Sequence, residues 1–194
     1  MSRMYKTYLF QQEEFVKDDF VKQLLTLLPM ERKEKALRYR NLIDRNNCVI
    51  SYIMLKIALK ECFGITKFTM KYDENGKPYL LEYPDIFFSI SHCVYGCVVA
   101  VADELIGVDI QNVIPFSYNV AERVCCSEEL NVLTNSRNQT IDFIRMWTIK
   151  ESYLKMIGEG IVGDLKSVNT LEMSSSSTEI VFSKNIIIVV CRKK

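Results

Sequence analysis

The sequence predicts an α+β chain made of two comparable halves, and three observations carry that prediction. In each half, apolar residues recur at three- and four-residue spacing over one long stretch. Short apolar runs bounded by Gly, Pro, Asn or Asp then follow, the pattern of strands and turns. The 194 residues are enough for one domain or for two small lobes sharing an interface. The seam falls near Asp103, which divides the chain into an N-terminal lobe, 1–103, and a C-terminal lobe, 104–194.

Residues 5–10 read as a short strand. Residues 11–28 keep apolar spacing in a polar background and read as a helix that Pro29 breaks. One long amphipathic helix is predicted over 30–63. Its apolar positions Leu37, Ile43, Ile50, Ile53, Met54, Ile57 and Ala58 repeat at helical spacing, and Gly64 ends it. Its first turns are basic, with Arg32, Lys33, Lys35, Arg38 and Arg40. Residues 68–72 alternate like a strand, and Asp73-Glu74-Asn75-Gly76-Lys77-Pro78 is a turn. Strand-like runs follow at 86–90, 96–102 and 105–110, the last two joined by Asp103-Glu104.

The second half repeats the order of helices, then strands. Residues 118–124 form a short helix. Ser127 reads as the N-cap of a helix over 128–133, with Glu128 and Glu129 in the favourable first turn. A longer helix spans 139–157 and Gly158 closes it. Strands are expected around 168–173, 179–182 and 186–191, with a polar turn at 174–177.

Composition excludes several classes. The formal net charge of +1 gives no global field that would draw the chain onto nucleic acid or an anionic membrane. No apolar run approaches the roughly 20 residues of a membrane span, and the first residues lack the pattern of a secretory signal. The 7 cysteines are odd in number and irregularly spaced. Cys48, Cys62, Cys97 and Cys191 sit in apolar stretches, which suits reduced thiols in a cytoplasmic protein better than a disulfide frame.

Two segments carry chemistry. Gly107-Val108-Asp109-Ile110-Gln111 ends an apolar run. Strand alternation puts Asp109 and Gln111 on one face, two oxygen donors of the kind a hard cation such as magnesium takes. An aspartate after a strand is equally a turn or cap residue. Trp147-Thr148-Ile149-Lys150-Glu151-Ser152-Tyr153-Leu154-Lys155 is sharper. On a helix Trp147, Lys150, Glu151, Leu154 and Lys155 share a face. Glu151 with Lys155 could be an ordinary surface ion pair, but Ile144, Trp147 and Leu154 mark that face as partly buried. A metal and a diphosphate would explain it, with Glu151 on the cation and Lys150 and Lys155 on phosphate oxygens.

His92, the only histidine, ends the run Phe87-Phe88-Ser89-Ile90-Ser91-His92. A lone histidine is more often structural. Here it stands beside Ser91 at the rim of a polar pocket. The two are adjacent and point oppositely, so they make a poor hydrolase pair, and no G-x-S-x-G elbow exists. His92, Cys93 and Cys97 lack a fourth ligand at zinc spacing. The basic start of the long helix, with Lys77 in its turn, would suit a phosphorylated nucleotide, although a charge run is usually a solvated face.

Taken in order, these motifs resemble the 4'-phosphopantetheinyl transferase superfamily, specifically its surfactin-synthetase type. The carriers are Ser91-His92, Gly107-Val108-Asp109-Ile110-Gln111 and the Trp147–Lys155 segment. The Asn75-Gly76-Lys77-Pro78 turn and Arg32-Lys33-Glu34-Lys35 also match. The resemblance implies two similar α+β lobes related by a pseudo-twofold axis, with coenzyme A in the cleft between them. It implies that Asp109 and Glu151 bind magnesium, with Gln111 beside them, and that Lys150 and Lys155 contact the diphosphate. Arg32, Lys35, Lys77, Ser91 and His92 would hold the adenosine 3'-phosphate or line the adenine pocket. Glu151, Lys155 and Asp109 would be the catalytic groups. Glu128 is a weaker candidate on the carrier side.

The implied reaction moves phosphopantetheine from coenzyme A to a serine of an acyl or peptidyl carrier protein, releasing adenosine 3',5'-bisphosphate. A monomer is expected, without nucleic-acid or membrane partners. Many relatives carry an acid where Gln111 stands, so weaker metal affinity is expected here. The alternative is a homologue that binds coenzyme A but is catalytically weakened. The reading requires that acidic groups of both lobes converge on one ion.

Overall fold

A strand with no polar face must be covered on both sides, and β5 (Gly96–Ala102) is such a strand, buried along its whole length. The computed structural model of the protein describes residues 4–11, 18–159, 165–173, 178–183 and 185–193. In it β5 is the middle of an antiparallel sheet ordered β1-β5-β4, with β1 at Tyr5–Gln11 and β4 at Phe87–Cys93. Val99 and Val101 pack under the helix α3 (Leu42–Phe63), in a core with Val49, Tyr52, Leu55 and Leu59. Val98, Ala100 and Ala102 face the other way, onto the C-terminal half.

The C-terminal half is built the same way. A second antiparallel sheet is ordered β6-β8-β7, with β6 at Ile106–Asn112, β7 at Thr178–Ser183 and β8 at Ile186–Arg192. Ile187, Val189 and Cys191 pack beneath the long helix α6 (Gln139–Ile157). The alternate residues Ile186, Ile188 and Val190 join Ile106, Val108 and Ile110 against Val98, Ala100 and Ala102. A shared apolar cluster therefore welds the two halves along the seam that follows Ala102. The α+β class holds. Each half has a long helix on a three-stranded sheet.

Gly64 and Gly158 end α3 and α6 at φ of 68° and 84°. That left-handed conformation is cheap for glycine alone.

Several boundaries differ from the prediction. The helix expected over 30–63 is two helices, α2 (Met30–Arg38) and α3. Tyr39 leaves the helix with ψ 123°, and the Asn41 side chain accepts from the Ile43 N–H at 2.8 Å to start a new one. Of the apolar positions that predicted one helix only Leu37 falls in α2, and it is 56% exposed, so the stripe on the core does not cross the break. The helix expected over 11–28 is α1 (Asp18–Thr26); residues 12–17 lie outside those described.

A hairpin of β2 (Met70–Tyr72) with β3 (Pro78–Leu80) closes the 73–78 turn, a pairing the sequence reading missed because β3 is three residues long. After α4 (Tyr118–Val124), Cys126 rather than Ser127 precedes α5 (Ser127–Thr134), its N–H donating to Glu129 at 3.0 Å. No strand forms at 168–173; a 3-10 turn (Leu165–Ser167) and bends take its place. The polar turn expected at 174–177 lies outside the described residues. All seven cysteines are free thiols. No helix among the described residues is long and apolar enough to cross a membrane.

Candidate active site

β6 buries Ile106, Val108 and Ile110 against the facing sheet, so alternation turns Gly107, Asp109 and Gln111 toward α6. Gly107 makes that approach close. Ser152 on α6 donates from Oγ to the Gly107 carbonyl at 2.9 Å and accepts from the Cys191 N–H at 3.0 Å. A Cβ added at Gly107 would stand 1.9 Å from the Ser152 carbonyl oxygen and 2.5 Å from the Met156 nitrogen. Backbone cannot yield as a side chain can. Gly107→Ala is expected to lift α6 from β6 at a cost of about 3 kcal/mol, read by chemical denaturation.

Asp109 is the centre of the site and only 2% exposed. Its Oδ1 accepts from Ser91 Oγ at 2.6 Å and from Lys155 Nζ at 2.6 Å, and its Oδ2 accepts from Gln111 Nε2 at 2.8 Å. Lys155 also donates to Ser91 Oγ at 2.9 Å. Glu151 stands one turn before Lys155 on the same helix. Burial pushes its carboxyl above the usual carboxylate range, and the negative charge of Asp109 pushes it further, with Lys155 opposing. Among the described residues no hydrogen bond reaches the Glu151 carboxylate.

Both carboxylates fall within residues 104–194 by their position in the chain, so the two acids named for the ion do not come one from each half. The N-terminal half contributes Ser91, His92 and Lys77 instead. The physical reason is that β6 follows directly after the seam, so its polar face belongs to the second core.

Strand alternation divides Ser91 from His92 as expected. Ser91 is buried on Asp109, while His92 is exposed on the α3 side, 3.9 Å from Asp44 Oδ1. Desolvation lowers the His92 pKa, and Asp44, Lys155, Asp109 and Lys35 are the charges that act on it. Another basic group lies on α2. There Arg32 and Lys35 both donate to the Tyr72 hydroxyl, at 3.0 and 3.1 Å, and the Arg32 guanidinium lies 5.1 Å from the Tyr52 ring centre. The break at Asn41 allows this, because it folds α2 back over α3. A cleft of about 380 Å³ opens beside Arg32, Lys35, Tyr52, Phe68 and Tyr72.

Lys77 reaches from its turn to the end of α6, donating to the Met156 carbonyl at 2.6 Å. Burial lowers its pKa, with Asp73 opposing. A second cleft of about 280 Å³ lies between that turn, β4 and α6, lined by Gly76, Lys77, Ser89, Ile90, Lys155 and Gly158.

Lys150 is the one site residue whose predicted role the structure removes. It is fully buried, paired with Glu129 at 2.7 Å, and donates to the carbonyls of Leu165 at 2.8 Å and Val168 at 2.6 Å. Its three N–H donors are used, so none is left for a phosphate. One residue step turns it about 100° around the helix from Glu151, into the second core. Glu129 was missed as its partner. The capping geometry of Glu129 was legible, but nothing in the sequence pairs it with Lys150. Trp147 packs edge-on against Phe143, with ring centres 5.9 Å apart, and is a core residue. Glu128 is exposed on α5.

The donor set fits a magnesium ion. That ion is commonly held by one or two carboxylates, the remaining positions going to water and substrate phosphate. Asp109 and Glu151 would hold it, with the Gln111 amide adjacent. Among the described residues no cluster of three or more His, Cys, Asp or Glu forms, at this site or elsewhere.

Two comparisons bear on this site. Residues 105–190, which hold Asp109, Gln111, Glu151 and Lys155, match the model of the 4'-phosphopantetheinyl transferase superfamily. Among curated proteins, the chain is 28% identical over 151 residues to a 4'-phosphopantetheinyl transferase of Bacillus pumilus, covering 76% of this chain and 65% of that one. It is 25% identical over 143 residues to the 4'-phosphopantetheinyl transferase Sfp of Bacillus subtilis strain 168, covering 72% and 64%. The L-aminoadipate-semialdehyde dehydrogenase-phosphopantetheinyl transferase of Saccharomyces cerevisiae is 25% identical over 174 residues, covering 81% and 63%. The matches span just under two thirds of the length of these relatives. Family model and relatives together support the resemblance to surfactin-synthetase-type phosphopantetheinyl transferases.

Proposed function

We propose that the protein transfers 4'-phosphopantetheine from coenzyme A to a serine hydroxyl of an acyl or peptidyl carrier protein, releasing adenosine 3',5'-bisphosphate. The observation that carries this is the Asp109–Ser91–Lys155 cluster, with Glu151 one turn before Lys155 on α6 and Lys155 itself lining the cleft that also holds Lys77. We assign the two lobes to 1–103 and 104–194, related by a pseudo-twofold axis, and the active unit to a cytoplasmic monomer.

Each group has a task set by its surroundings. Arg32, Lys35 and His92 form the basic surface for the adenosine 3'-phosphate, with Lys77 and Ser91 at the edge of the pocket. Lys155, the half-buried cation of the site, is placed for the diphosphate. A magnesium ion held by Asp109 and Glu151 would supply charge neutralisation of the diphosphate. Phosphoryl transfer needs positioning and neutralised oxygens more than covalent help. The Glu151 carboxylate, made more basic than usual by burial and Asp109, accepts the proton of the incoming serine hydroxyl. The Phe116-to-Cys126 region is the proposed carrier-facing surface, with Tyr118 and Val120 exposed on α4.

The test is intact-mass measurement of apo carrier proteins incubated with coenzyme A and magnesium. A phosphopantetheine mass gain on the carrier serine is expected. Bisphosphate release without any carrier would instead indicate a nucleotide hydrolase, and coenzyme A binding without transfer would indicate a weakened homologue.

Two further outcomes are expected. Gln111→Glu adds a charge beside Asp109 and lowers the magnesium concentration for half-maximal rate several-fold; an unchanged curve places residue 111 outside the metal site. Because His92 titrates below its ordinary value, an arriving phosphate must draw a proton onto it. Coenzyme A is expected to bind more tightly as pH falls from about 7.5 to 6, and His92→Gln should flatten that dependence in calorimetric titrations.

A further inference from the structure

The Lys155 ammonium sits where a cation would act on Asp109. It is 2.6 Å from Oδ1 and is braced by Ser91 Oγ at 2.9 Å. Ser91 and Gln111 fill further lone pairs of the same carboxylate. Both lone pairs of Oδ1 are thus taken by this chain's own donors, while Oδ2 holds one donor, and Glu151 stands one helical turn before Lys155 on α6. The local charges are two carboxylates, one ammonium and one neutral amide at Gln111. A divalent ion entering alone would meet little net negative charge and an ammonium on its main ligand.

We propose that Lys155 is an exchangeable counter-ion, so that the protein takes its divalent cation together with a diphosphate and holds it poorly before. The inference rests on the transferase reading above and adds an order to it. A diphosphate offers Lys155 a new anionic partner, which frees the Asp109 oxygen, and brings oxygens of its own for the ion. Each ligand then removes a cost from the other, and the coupling is reciprocal. Lys155 is suited to this because its side chain is 27% exposed and can swing, whereas Asp109 at 2% cannot. Gln111 strengthens the coupling by withholding the charge that would let the ion bind unaided.

The experiment titrates the whole protein with manganese(II), reading the free ion by electron paramagnetic resonance, with and without coenzyme A and with no carrier protein present. Coenzyme A is expected to tighten manganese binding at least tenfold. Lys155→Met is expected to tighten it several-fold in the absence of coenzyme A and to shrink the coenzyme A effect. Gln111→Glu, which leaves Lys155 in place, should do the same in smaller measure. Coenzyme A binding with manganese affinity equal in its presence and absence overturns the inference and leaves the transferase reading standing. Manganese affinity unchanged by Lys155→Met also overturns it. Failure of coenzyme A to bind at all overturns both.

Discussion

Glu151→Gln is expected to lose about 10²–10³-fold in carrier modification and yet to melt at a higher temperature than the parent protein. The loss follows from removing one of two carboxylates that would hold the metal and the group that receives the serine proton. The gain follows from the same burial. Glu151 sits 6% exposed, opposite Asp109, with its pKa raised by desolvation and by that neighbour. A carboxyl whose folded pKa lies above its unfolded value costs stability wherever it is ionised in the folded state. That cost is full at neutral pH and fades as pH falls through the folded pKa toward the ordinary 4.5. The amide keeps the shape and removes the charge, which should contribute about 1 kcal/mol at pH 7. The melting difference should therefore be largest near neutrality and close in acid. Magnesium with coenzyme A should raise the melting temperature of the parent but not of the variant. Near-normal turnover by the variant at saturating magnesium would remove Glu151 from catalysis.

Lys150→Met is expected to cost about 3–5 kcal/mol, the scale for removing one partner of a buried ion pair. For a chain of this size that is a fall of roughly 6–20 °C in melting temperature. Lys150 and Glu129 are both fully buried, at 2.7 Å. Burial alone would push the Glu129 carboxyl up, but Lys150, the Thr170 hydroxyl and N–H and the Cys126 N–H together hold it below the usual range. Its stabilising effect is thus present above the ordinary carboxylate value and lost as pH falls through the lowered one. Without Lys150, the carboxylate keeps its smaller donors and loses its charge partner. Chemical denaturation of Lys150→Met, Glu129→Gln and the double variant gives the coupling directly. The double variant should cost less than the two singles added. A Lys150→Met protein as stable as the parent, but unable to bind coenzyme A, would return this lysine to the phosphate site.

The contrast between these neighbours shows what a sequence pattern could and could not reveal. Helical spacing put Lys150, Glu151 and Lys155 on one stripe, and for Glu151 and Lys155 the structure agrees. A stripe defined by offsets of three and four is wide, and residues at its edges can face different neighbours. Lys150 is at that edge, and α5 with the 165–168 segment captures it. The break at Asn41 was missed because one α2 position, the exposed Leu37, was read into the stripe of α3. Of the β2–β3 hairpin the first strand and the turn were legible, and only the three-residue β3 was not.

The sequence by itself determined the α+β class, most of the strands and the chemistry on offer. Those depend on local alternation, helical period and residue type, all of which are short-range. It also placed Asp109 on a polar strand face and ended α6 at Gly158. Only the tertiary structure decided which charges meet. Whether a lysine faces a carboxylate, a carbonyl or a phosphate is settled by packing between elements distant in sequence. Asp109 reaches Lys155 across 46 positions, Ser91 across 18, and Glu129 meets Thr170 across 41. Electrostatic energy depends on separation in space and on water excluded from the gap, and the order of residues along a chain encodes neither directly.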